Sequence, residues 1–136
     1  MGVSEEYLPD LDIIPEIEDK ETYAEKAAIF AELWDWVEKN VYRTNVLKGW
    51  ITRGRRDGEM IALMHSELSE ALEAMRQGNL PSDHIPAFSY VEEEFADVII
   101  RIMDYAFTHK LDIPAALMSK MEFNKTRPYR HGGKKF

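Results

Sequence analysis

Two pairs of acidic residues in this chain have the same internal spacing. Glu67 and Glu70 form the first acidic pair, and Glu94 and Asp97 form the second, with 23 residues between the pairs. In a helix, residues three positions apart lie close together on one face. Carboxylates grouped in this way can bind a hard divalent cation or exchange protons with a substrate, provided that the two segments meet in the fold.

The position of the first pair on its helix follows from a rotation of about 100° per residue. The predicted helix 59–77 has an apolar arc, and Glu67 lies inside that arc. Glu70 lies at the edge of the arc, about 60° from Glu67, whereas Glu73 lies about 120° away, on the solvent side. We therefore expect Glu67 to be buried and Glu73 to be exposed.

The second pair is placed in the same way on the predicted helix 87–110. Glu94 lies among the apolar residues of that helix, and Asp97 lies at their edge, about 60° away. Glu92 and Glu93 point away from the apolar side. Both helices thus repeat one arrangement, with one acid within the apolar side and another at its edge.

Four carboxylates brought together in a partly buried site need a neutralising partner. An isolated buried charge is so unfavourable that its pKa shifts until the group is neutral. A divalent cation such as Mg²⁺ meets this need, because it takes oxygen ligands and keeps water molecules for a phosphate substrate. The alternative is a solvated face on which Arg76 or Arg101 forms ion pairs with the acids.

The elements that must position these acids are helices. Apolar residues spaced three and four apart predict a first helix over residues 21–41. Residues 43–58, with three glycines and four arginines, predict a loop, and the sequence GNLP at 78–81 predicts the end of the second helix. Asp112 as N-cap and Pro114 in the first turn predict a fourth helix that lasts to about residue 126.

These helices predict an all-α, four-helix bundle-like fold in a single domain, residues 1–136. Residues 1–20, which contain two prolines and a run of acids, predict an extended N-terminal arm, and the tail from Arg127 is basic. The three Trp, six Tyr, six Phe and seven Met residues supply ample volume for a core.

The composition argues against several classes of function. With 25 acidic against 17 basic residues, the formal charge is −8, which is poorly suited to nonspecific binding of nucleic acid or of an anionic membrane. Without cysteine, the chain has no disulfide framework, zinc–thiolate site or thiol nucleophile. No apolar run reaches the length of a membrane span and no signal peptide is recognisable, so we expect a cytoplasmic location.

Three motifs in this order resemble those of the MazG-like nucleotide pyrophosphohydrolases. The first acidic pair, in segment 61–76, has the form ExxE, and the second, in segment 93–104, has the form ExxD. The family signature has these two motifs separated by some two dozen residues. The resemblance continues to Lys120 and Asn124, which match the family's KxxxN motif, and into the basic tail. It covers about residues 48–136.

The resemblance implies an all-α enzyme that hydrolyses the α–β bond of a nucleoside or deoxynucleoside triphosphate to the monophosphate and pyrophosphate. It implies Mg²⁺, with Mn²⁺ as a substitute, bound by the four acids, and assembly as a homodimer or a dimer of dimers. Lys120 and Asn124, one helical turn apart, would contact the substrate near its phosphates or sugar. Housekeeping of the nucleotide pool is the expected role.

The identity of the general base stays open. Some relatives carry a further carboxylate just before the first motif, where this chain has Ser66. Either Glu67 or Glu70 also acts as the base, or activation of the attacking water by the metal is sufficient.

A triphosphate also needs cationic partners on the protein. The dense cationic segments are residues 53–56 and the tail, in which Arg127 is the first candidate because a guanidinium matches phosphate geometry. Arg130 and Lys134 are further candidates for contacts with the phosphates.

Several other residues have two possible roles. Trp50, 17 residues before the first acidic pair, could stack on the nucleobase, as an aromatic residue does in similar proteins, or could pin its loop to the bundle. Trp34 lies in the buried stripe of the first helix, whereas Trp36 lies off it. His65 lies opposite the acidic edge, and Asp104 is expected to be structural or to support the metal ligands.

Three other functions stay open. The chain could act on another pyrophosphate-linked nucleotide, such as phosphoribosyl-ATP. It could be a di-iron carboxylate bundle, although such bundles use Glu-x-x-His pairs and neither acidic pair contains a histidine. It could also be a helical interaction module without catalysis, in which the acids are merely solvated.

Overall fold

The computed structural model describes residues 19–128, and this part of the chain is built from four α-helices. They are α1 (Lys20–Leu47), α2 (Asp57–Arg76), α3 (Tyr90–His109) and α4 (Ile113–Lys125). Residues 19–128 contain no β-strand, so the predicted all-α architecture is confirmed for them. Most of the predicted N-terminal arm and the tail from residue 129 lie outside the described residues.

None of these four helices combines the length and the apolarity that a crossing of the membrane requires.

Side-chain caps fix the starts of α1 and α4. Asp19 accepts a hydrogen bond from the Thr22 backbone N–H at 2.9 Å, before the first turn of α1. Asp112 accepts one from the Ala115 N–H at 3.1 Å, and Pro114 occupies the first turn of α4, as predicted. Such caps satisfy backbone donors that have no partner within the helix.

The start of α3 is fixed by a capping box. The Ser89 hydroxyl accepts a hydrogen bond from the Glu92 backbone N–H at 3.3 Å, and the Glu92 carboxylate accepts one from the Ser89 N–H at 2.7 Å. Because Ser89 is the cap, α3 begins at Tyr90, three residues after its predicted start. The acidic residues of α3 keep their predicted positions on the helix.

The end of α2 has the predicted glycine-containing cap. Gly78 and Asn79 have left-handed backbones, with φ of 92° and 49°. The Asn79 N–H donates to the carbonyl of Ala74 at 2.8 Å, which satisfies a carbonyl of the last helical turn. α2 therefore ends at Arg76, one residue before the predicted end.

The segment between α2 and α3, residues 77–89, is called the connector below. Its two ends are joined by backbone hydrogen bonds. The Ser82 N–H donates to the Phe88 carbonyl at 2.9 Å, and the Tyr90 N–H donates to the Leu80 carbonyl at 3.0 Å. These bonds bring the end of α2 beside the start of α3.

α1 is longer than predicted at its carboxyl end. It continues to Leu47, so the expected loop 43–58 is reduced to residues 48–56. Packing explains the extension, because the rings of Tyr42 and Phe107 lie 4.3 Å apart between α1 and α3. The helix ends just before Gly49, whose φ of 74° is incompatible with helix.

α3 is the central helix of the described structure. It packs most extensively against α2 and also against α1, whereas the main contact of α4 is with α1. The four helices are consistent with the predicted all-α bundle, in which the main contact of α4 is with α1 rather than with α2 or α3. The two helices that carry the acidic pairs form its most extensive contact.

The core within the described residues is small. The buried apolar residues are Met60, Ala71, Met103 and Ala106. Large apolar side chains on every helix are exposed, and Trp36 and Trp50 keep 64% and 65% of their surface accessible. The large side chains that the sequence offers for a core are thus mostly at the surface of one chain, where they favour contact with another surface.

Candidate metal centre and adjoining cleft

Three carboxylates from two helices converge at the contact between α2 and α3. Glu67, Glu70 and Glu94 each offer a carboxylate oxygen, and these oxygens all lie within 4.8 Å of one another. The first acidic pair therefore meets Glu94 of the second pair, as the sequence predicted. We call these three residues the carboxylate cluster.

The burial of the cluster follows the helical positions of its members. Glu67 is only 6% exposed, Glu94 is half-buried and Glu70 is exposed at the rim. Glu73 is exposed, as expected for a residue that lies about 120° round α2 from Glu67. The predicted order of burial along α2 is confirmed.

Arg101 on α3 is the cationic partner of the buried acid. Its Nε donates a hydrogen bond to Glu67 Oε1 at 2.5 Å, and its Nη2 lies 2.5 Å from the same oxygen. The sequence offered this residue as an ion-pair partner for the acids, and this interaction is confirmed. The other arginine considered, Arg76, instead lies 3.6 Å from Glu73 at the surface.

Glu94 holds its proton more tightly than an ordinary glutamate. Burial and the neighbouring charge of Glu70 raise the pKa of Glu94 to about 7, and a hydrogen bond with Glu67 adds to this effect. A carboxyl group surrounded by other carboxylates is stabilised in its neutral form. At neutral pH a cation would therefore compete with a proton for Glu94.

Asp97 lies beside the carboxylate cluster, but its carboxylate oxygens are not among those that lie within 4.8 Å of one another. It is half-buried, and burial together with the charge of Glu67 raises its pKa. Arg101 acts in the opposite direction on this pKa. Asp97 is thus within electrostatic reach of the cluster, and its predicted role as a fourth ligand stays a prediction.

The donor set fits a hard divalent cation. Ionised, the three members of the cluster and Asp97 carry four negative charges, while Arg101 supplies one positive charge. Oxygen-only ligands are those that Mg²⁺ and Mn²⁺ take, whereas zinc and iron sites usually include nitrogen or sulfur. The cluster could therefore hold Mg²⁺, and protonation of Glu94 is the alternative way to reduce its charge.

A cleft of about 450 Å³ adjoins the cluster. Its lining includes Asp97, Ile100 and Arg101 of α3, together with Asn45 and Trp50. A smaller recess of about 180 Å³ is lined by two acids of the cluster, Glu70 and Glu94, and by Glu73. Since a nucleobase is smaller than the larger cleft, a ligand could occupy it with its anionic end toward the carboxylates.

An ion pair anchors the loop that forms one wall of the cleft. Arg55 donates to the two carboxylate oxygens of Asp104 at 2.7 and 3.3 Å, and also to the Thr108 hydroxyl at 3.3 Å. Asp104 is buried, so this two-bond contact is shielded from water. The structural role expected of Asp104 is confirmed by this contact. Arg55 belongs to segment 53–56, a candidate for contacts with the phosphates, but it already has a partner in Asp104.

Trp50 stands in this anchored loop and is exposed at the cleft. Its backbone N–H donates to the carbonyl of Asn45 at 2.9 Å, which ties the start of the loop to the last turn of α1. Its side chain is largely accessible. The predicted stacking role of Trp50 stays a prediction, and its position in the cleft is compatible with that role.

The KxxxN residues do not join the carboxylate cluster within one chain. Lys120 and Asn124 are exposed on α4, the helix that packs mainly against α1. The Lys120 Nζ lies 4.6 Å from the ring centre of Phe123, and the Arg127 guanidinium lies 5.4 Å from the same ring. The other predicted phosphate contacts, Arg130 and Lys134, lie outside the described residues.

Sequence reasoning missed a serine–glutamate–histidine group in the connector. The Ser82 hydroxyl donates a short hydrogen bond to Glu93, and His84 Nδ1 lies 2.7 Å from the other oxygen of Glu93. Ser82 is 1% exposed and accepts hydrogen bonds from the N–H groups of His84 and Ile85 at 3.1 Å. Because the serine bonds to the carboxylate rather than to the imidazole, this group orders the connector and does not activate a nucleophile.

Glu93 is therefore more covered than its position on the helix predicts. It points away from the apolar side, as expected, but its side chain is only 13% exposed because the connector folds over it. The only signal in the sequence is the spacing of Ser82 and His84 before α3, which does not by itself predict the fold of the connector.

The remaining residues with two possible roles lie away from the cluster. His65 is exposed on α2. Trp34 is half-buried, contacts Phe30 edge-on at 5.9 Å, and donates to Glu38 at 3.2 Å. Trp36 is exposed, in agreement with its position off the buried stripe.

Comparison of this chain with protein-family models, with curated protein sequences and with solved structures finds no match.

Proposed function

We propose that this protein hydrolyses a nucleoside or deoxynucleoside triphosphate to the monophosphate and pyrophosphate in the presence of Mg²⁺. The observation that carries the proposal is the convergence of Glu67, Glu70 and Glu94, whose carboxylate oxygens lie within 4.8 Å of one another. A fourth acid, Asp97, and a cleft large enough for a nucleoside adjoin this cluster.

Glu67, Glu70 and Glu94 would hold the cation, with Asp97 as the fourth ligand. When bound, Mg²⁺ polarises phosphoryl oxygens and stabilises the negative charge of the leaving pyrophosphate. Mn²⁺ has similar ligand preferences and is expected to substitute.

The residues of the chain bind and orient the substrate and accept a proton. The cluster orients the polyphosphate end of the substrate, and the cleft takes the nucleoside end against Trp50. Arg101 lies between these two regions, and its guanidinium could turn from Glu67 to a phosphate when the cation neutralises that carboxylate. Glu67 or Glu70 accepts the proton of the attacking water in this scheme.

The proposal includes assembly with a second copy of the chain, as a homodimer or a dimer of dimers. The described residues bury few large apolar side chains, and exposed ones occur on all four helices. Lys120, Asn124 and Arg127 are displaced from the cluster within one chain, so a second copy would have to bring them to the site. Light scattering at micromolar protein that gives the mass of one chain would exclude this arrangement.

The exposed apolar surface also favours the second candidate, a helical interaction module without catalysis. A di-iron site is disfavoured, because the carboxylate cluster contains no histidine, and His84, the one at the connector, is paired with Glu93. Phosphoribosyl-ATP stays a substrate alternative with the same bond chemistry.

The deciding experiment is a panel of nucleotides with and without Mg²⁺. Purified protein is incubated with each ribo- and deoxyribonucleoside triphosphate and with phosphoribosyl-ATP, and the products are separated by anion exchange. Metal-dependent release of pyrophosphate and monophosphate supports the proposal. Release of orthophosphate, or no turnover of any nucleotide, would contradict it.

A further inference from the structure

The side chain of Asn45 is largely covered, yet its amide forms no hydrogen bond with the described residues. Asn45 lies in the last turn of α1, is 8% exposed and lines the large cleft. Within residues 19–128 its side chain forms no hydrogen bond, although its backbone carbonyl accepts one from Trp50. Because the amide forms no hydrogen bond within the described residues, its donor and acceptor groups are available to a molecule in the cleft.

The amide is accessible through the cleft. No side-chain nitrogen or oxygen of the described residues is both fully buried and without a partner, so the polar atoms of Asn45 keep contact with solvent. Since the rest of the residue is covered and Asn45 lines the cleft, this contact is with the interior of the cleft.

The other polar groups of the cleft divide into two sets. Arg55 and Arg101 are engaged by Asp104 and Glu67, respectively. Among the described residues, Glu59 has no ion pair or hydrogen bond, and it lines the same cleft. Asn45, Glu59 and Asp97 therefore keep hydrogen-bonding capacity that a ligand can use, and of these Asp97 is the one proposed above to bind the cation.

We propose that Asn45 selects the base of the bound nucleotide, an inference that rests on the function proposed above. Trp50, five residues along, offers its ring to the face of a base, and the Asn45 amide offers one acceptor and one donor to its edge. An amide pairs in two bonds with a base edge on which a donor and an acceptor are adjacent.

Glu59 narrows the class of base. An ionised carboxylate only accepts hydrogen bonds, so it attracts an exocyclic amino group and repels a keto oxygen. Cytosine and adenine present an amino group beside a ring nitrogen that accepts a hydrogen bond. The cleft therefore favours nucleotides of these two bases over those of uracil and thymine.

The test compares Asn45→Ala and the isosteric Asn45→Asp with a matched control, Asn40→Ala. Asn40 lies on the same helix but is exposed and donates to the Trp36 carbonyl at 2.7 Å. With dCTP, dATP, dUTP and dTTP as probes, the wild type should favour the first two. Asn45→Ala should raise KM for the preferred nucleotide about tenfold, with little change in kcat, since two neutral hydrogen bonds are lost. Asn40→Ala should leave KM unchanged.

Binding gives a readout that does not depend on turnover. Calorimetric titration with dCMP and dUMP should show weaker dCMP binding by Asn45→Ala, and less discrimination between the two ligands. The melting temperature of Asn45→Leu should not fall, because the native amide has no partner within residues 19–128 to lose. A marked fall would assign Asn45 a structural role and overturn the proposal.

The outcomes separate this inference from the proposed function. If nucleotides are hydrolysed but Asn45→Ala keeps the wild-type KM and base preference, the inference is wrong and the function stands. If no nucleotide is hydrolysed but dCMP binding depends on Asn45, the function is wrong and the base contact stands. A wild-type preference for dUTP or dTTP would overturn the assignment of the base class.

Discussion

Glu93 and Glu94 are neighbours in the sequence, yet their carboxylates have opposite environments. Ser82 and His84 hydrogen-bond to Glu93, and these bonds lower its pKa. Glu94 faces Glu70 and Glu67 across the contact between α2 and α3, and burial with like charges raises its pKa to about 7. The change of environment takes one residue, because successive positions on a helix point about 100° apart.

The comparison distinguishes a structural acid from a candidate ligand. A structural carboxylate has its hydrogen-bond capacity satisfied by neighbouring donors, as Glu93 does within the connector. A candidate ligand is covered but faces other acceptors, so its charge is satisfied only by a cation or a proton. Residue type and burial alone do not separate the two cases, because both side chains are substantially covered.

The largest expected effect is on activity. Glu94→Gln should reduce Mg²⁺-dependent turnover about a hundredfold or more, because a neutral amide is a poor substitute for a carboxylate ligand. Glu93→Gln, one residue away, is the matched control and should retain most of the turnover. Steady-state rates of both variants at saturating Mg²⁺ provide the measurement. Equal losses of turnover in the two variants would contradict the distinction between Glu93 as a structural acid and Glu94 as a ligand.

A second effect concerns the connector. Ser82→Ala should lower the free energy of unfolding by about 1–3 kcal/mol, because it leaves a carboxylate oxygen and two backbone N–H groups without their partner. Urea denaturation followed by circular dichroism measures this change. The Mg²⁺ concentration that gives half-maximal activity should stay at the wild-type value. A large increase in that concentration would mean that the connector helps to position the ligands.

The positions of the acids could be predicted from the sequence better than their partners could. Helical periodicity alone placed Glu67 inside and Glu73 outside, because both are determined by the apolar side of a single helix. The contact between Arg55 and Asp104 joins residues 49 positions apart, and no local pattern encodes it. The sequence around Asn45 predicts a loop, because the packing of α1 on α3 that extends the helix is a tertiary effect.

The third prediction tests repulsion within the carboxylate cluster. Without metal, Glu70→Gln should be more stable than the wild type, by about 1 kcal/mol or about 3 °C in melting temperature for a chain of this size. Saturating Mg²⁺ should reverse the order, because the variant lacks one ligand. Scanning calorimetry with EDTA and with Mg²⁺ measures both. If the metal-free variant melts at the same or a lower temperature, repulsion is not significant there.

The smallest expected effects are in the pH dependence of stability, and they have opposite signs at the two residues. The folded pKa of Glu94 is raised from 4.5 to about 7, so its contribution is most favourable below pH 4.5 and is lost as the pH rises through 7. The folded pKa of Glu93 is lowered, so its contribution is present above pH 4.5 and is lost as the pH falls through the folded value.

Metal-free unfolding curves measured at several pH values between pH 5 and pH 8 test the first of these signs. Glu94→Gln should remove part of the decline in stability that the wild type shows as the pH rises. His84 also contributes in this range, because its hydrogen bond with Glu93 raises its pKa and stabilises the fold at lower pH. The double variant Glu94→Gln, His84→Asn should therefore have a flatter profile than either single variant.

The backbone hydrogen bonds that join the two ends of the connector allow residues to be inserted into its middle. The bonds from Ser82 to Phe88 and from Tyr90 to Leu80 hold α2 beside α3. The residues between Ser82 and Phe88 form the tip of the connector, which these bonds leave on one side. Residues inserted between Pro86 and Ala87, which are exposed, would enlarge only that tip. The number of residues between the two acidic pairs can therefore vary while their carboxylates stay together. A peptide tag or a small reporter domain placed there would extend from the surface without separating Glu70 from Glu94.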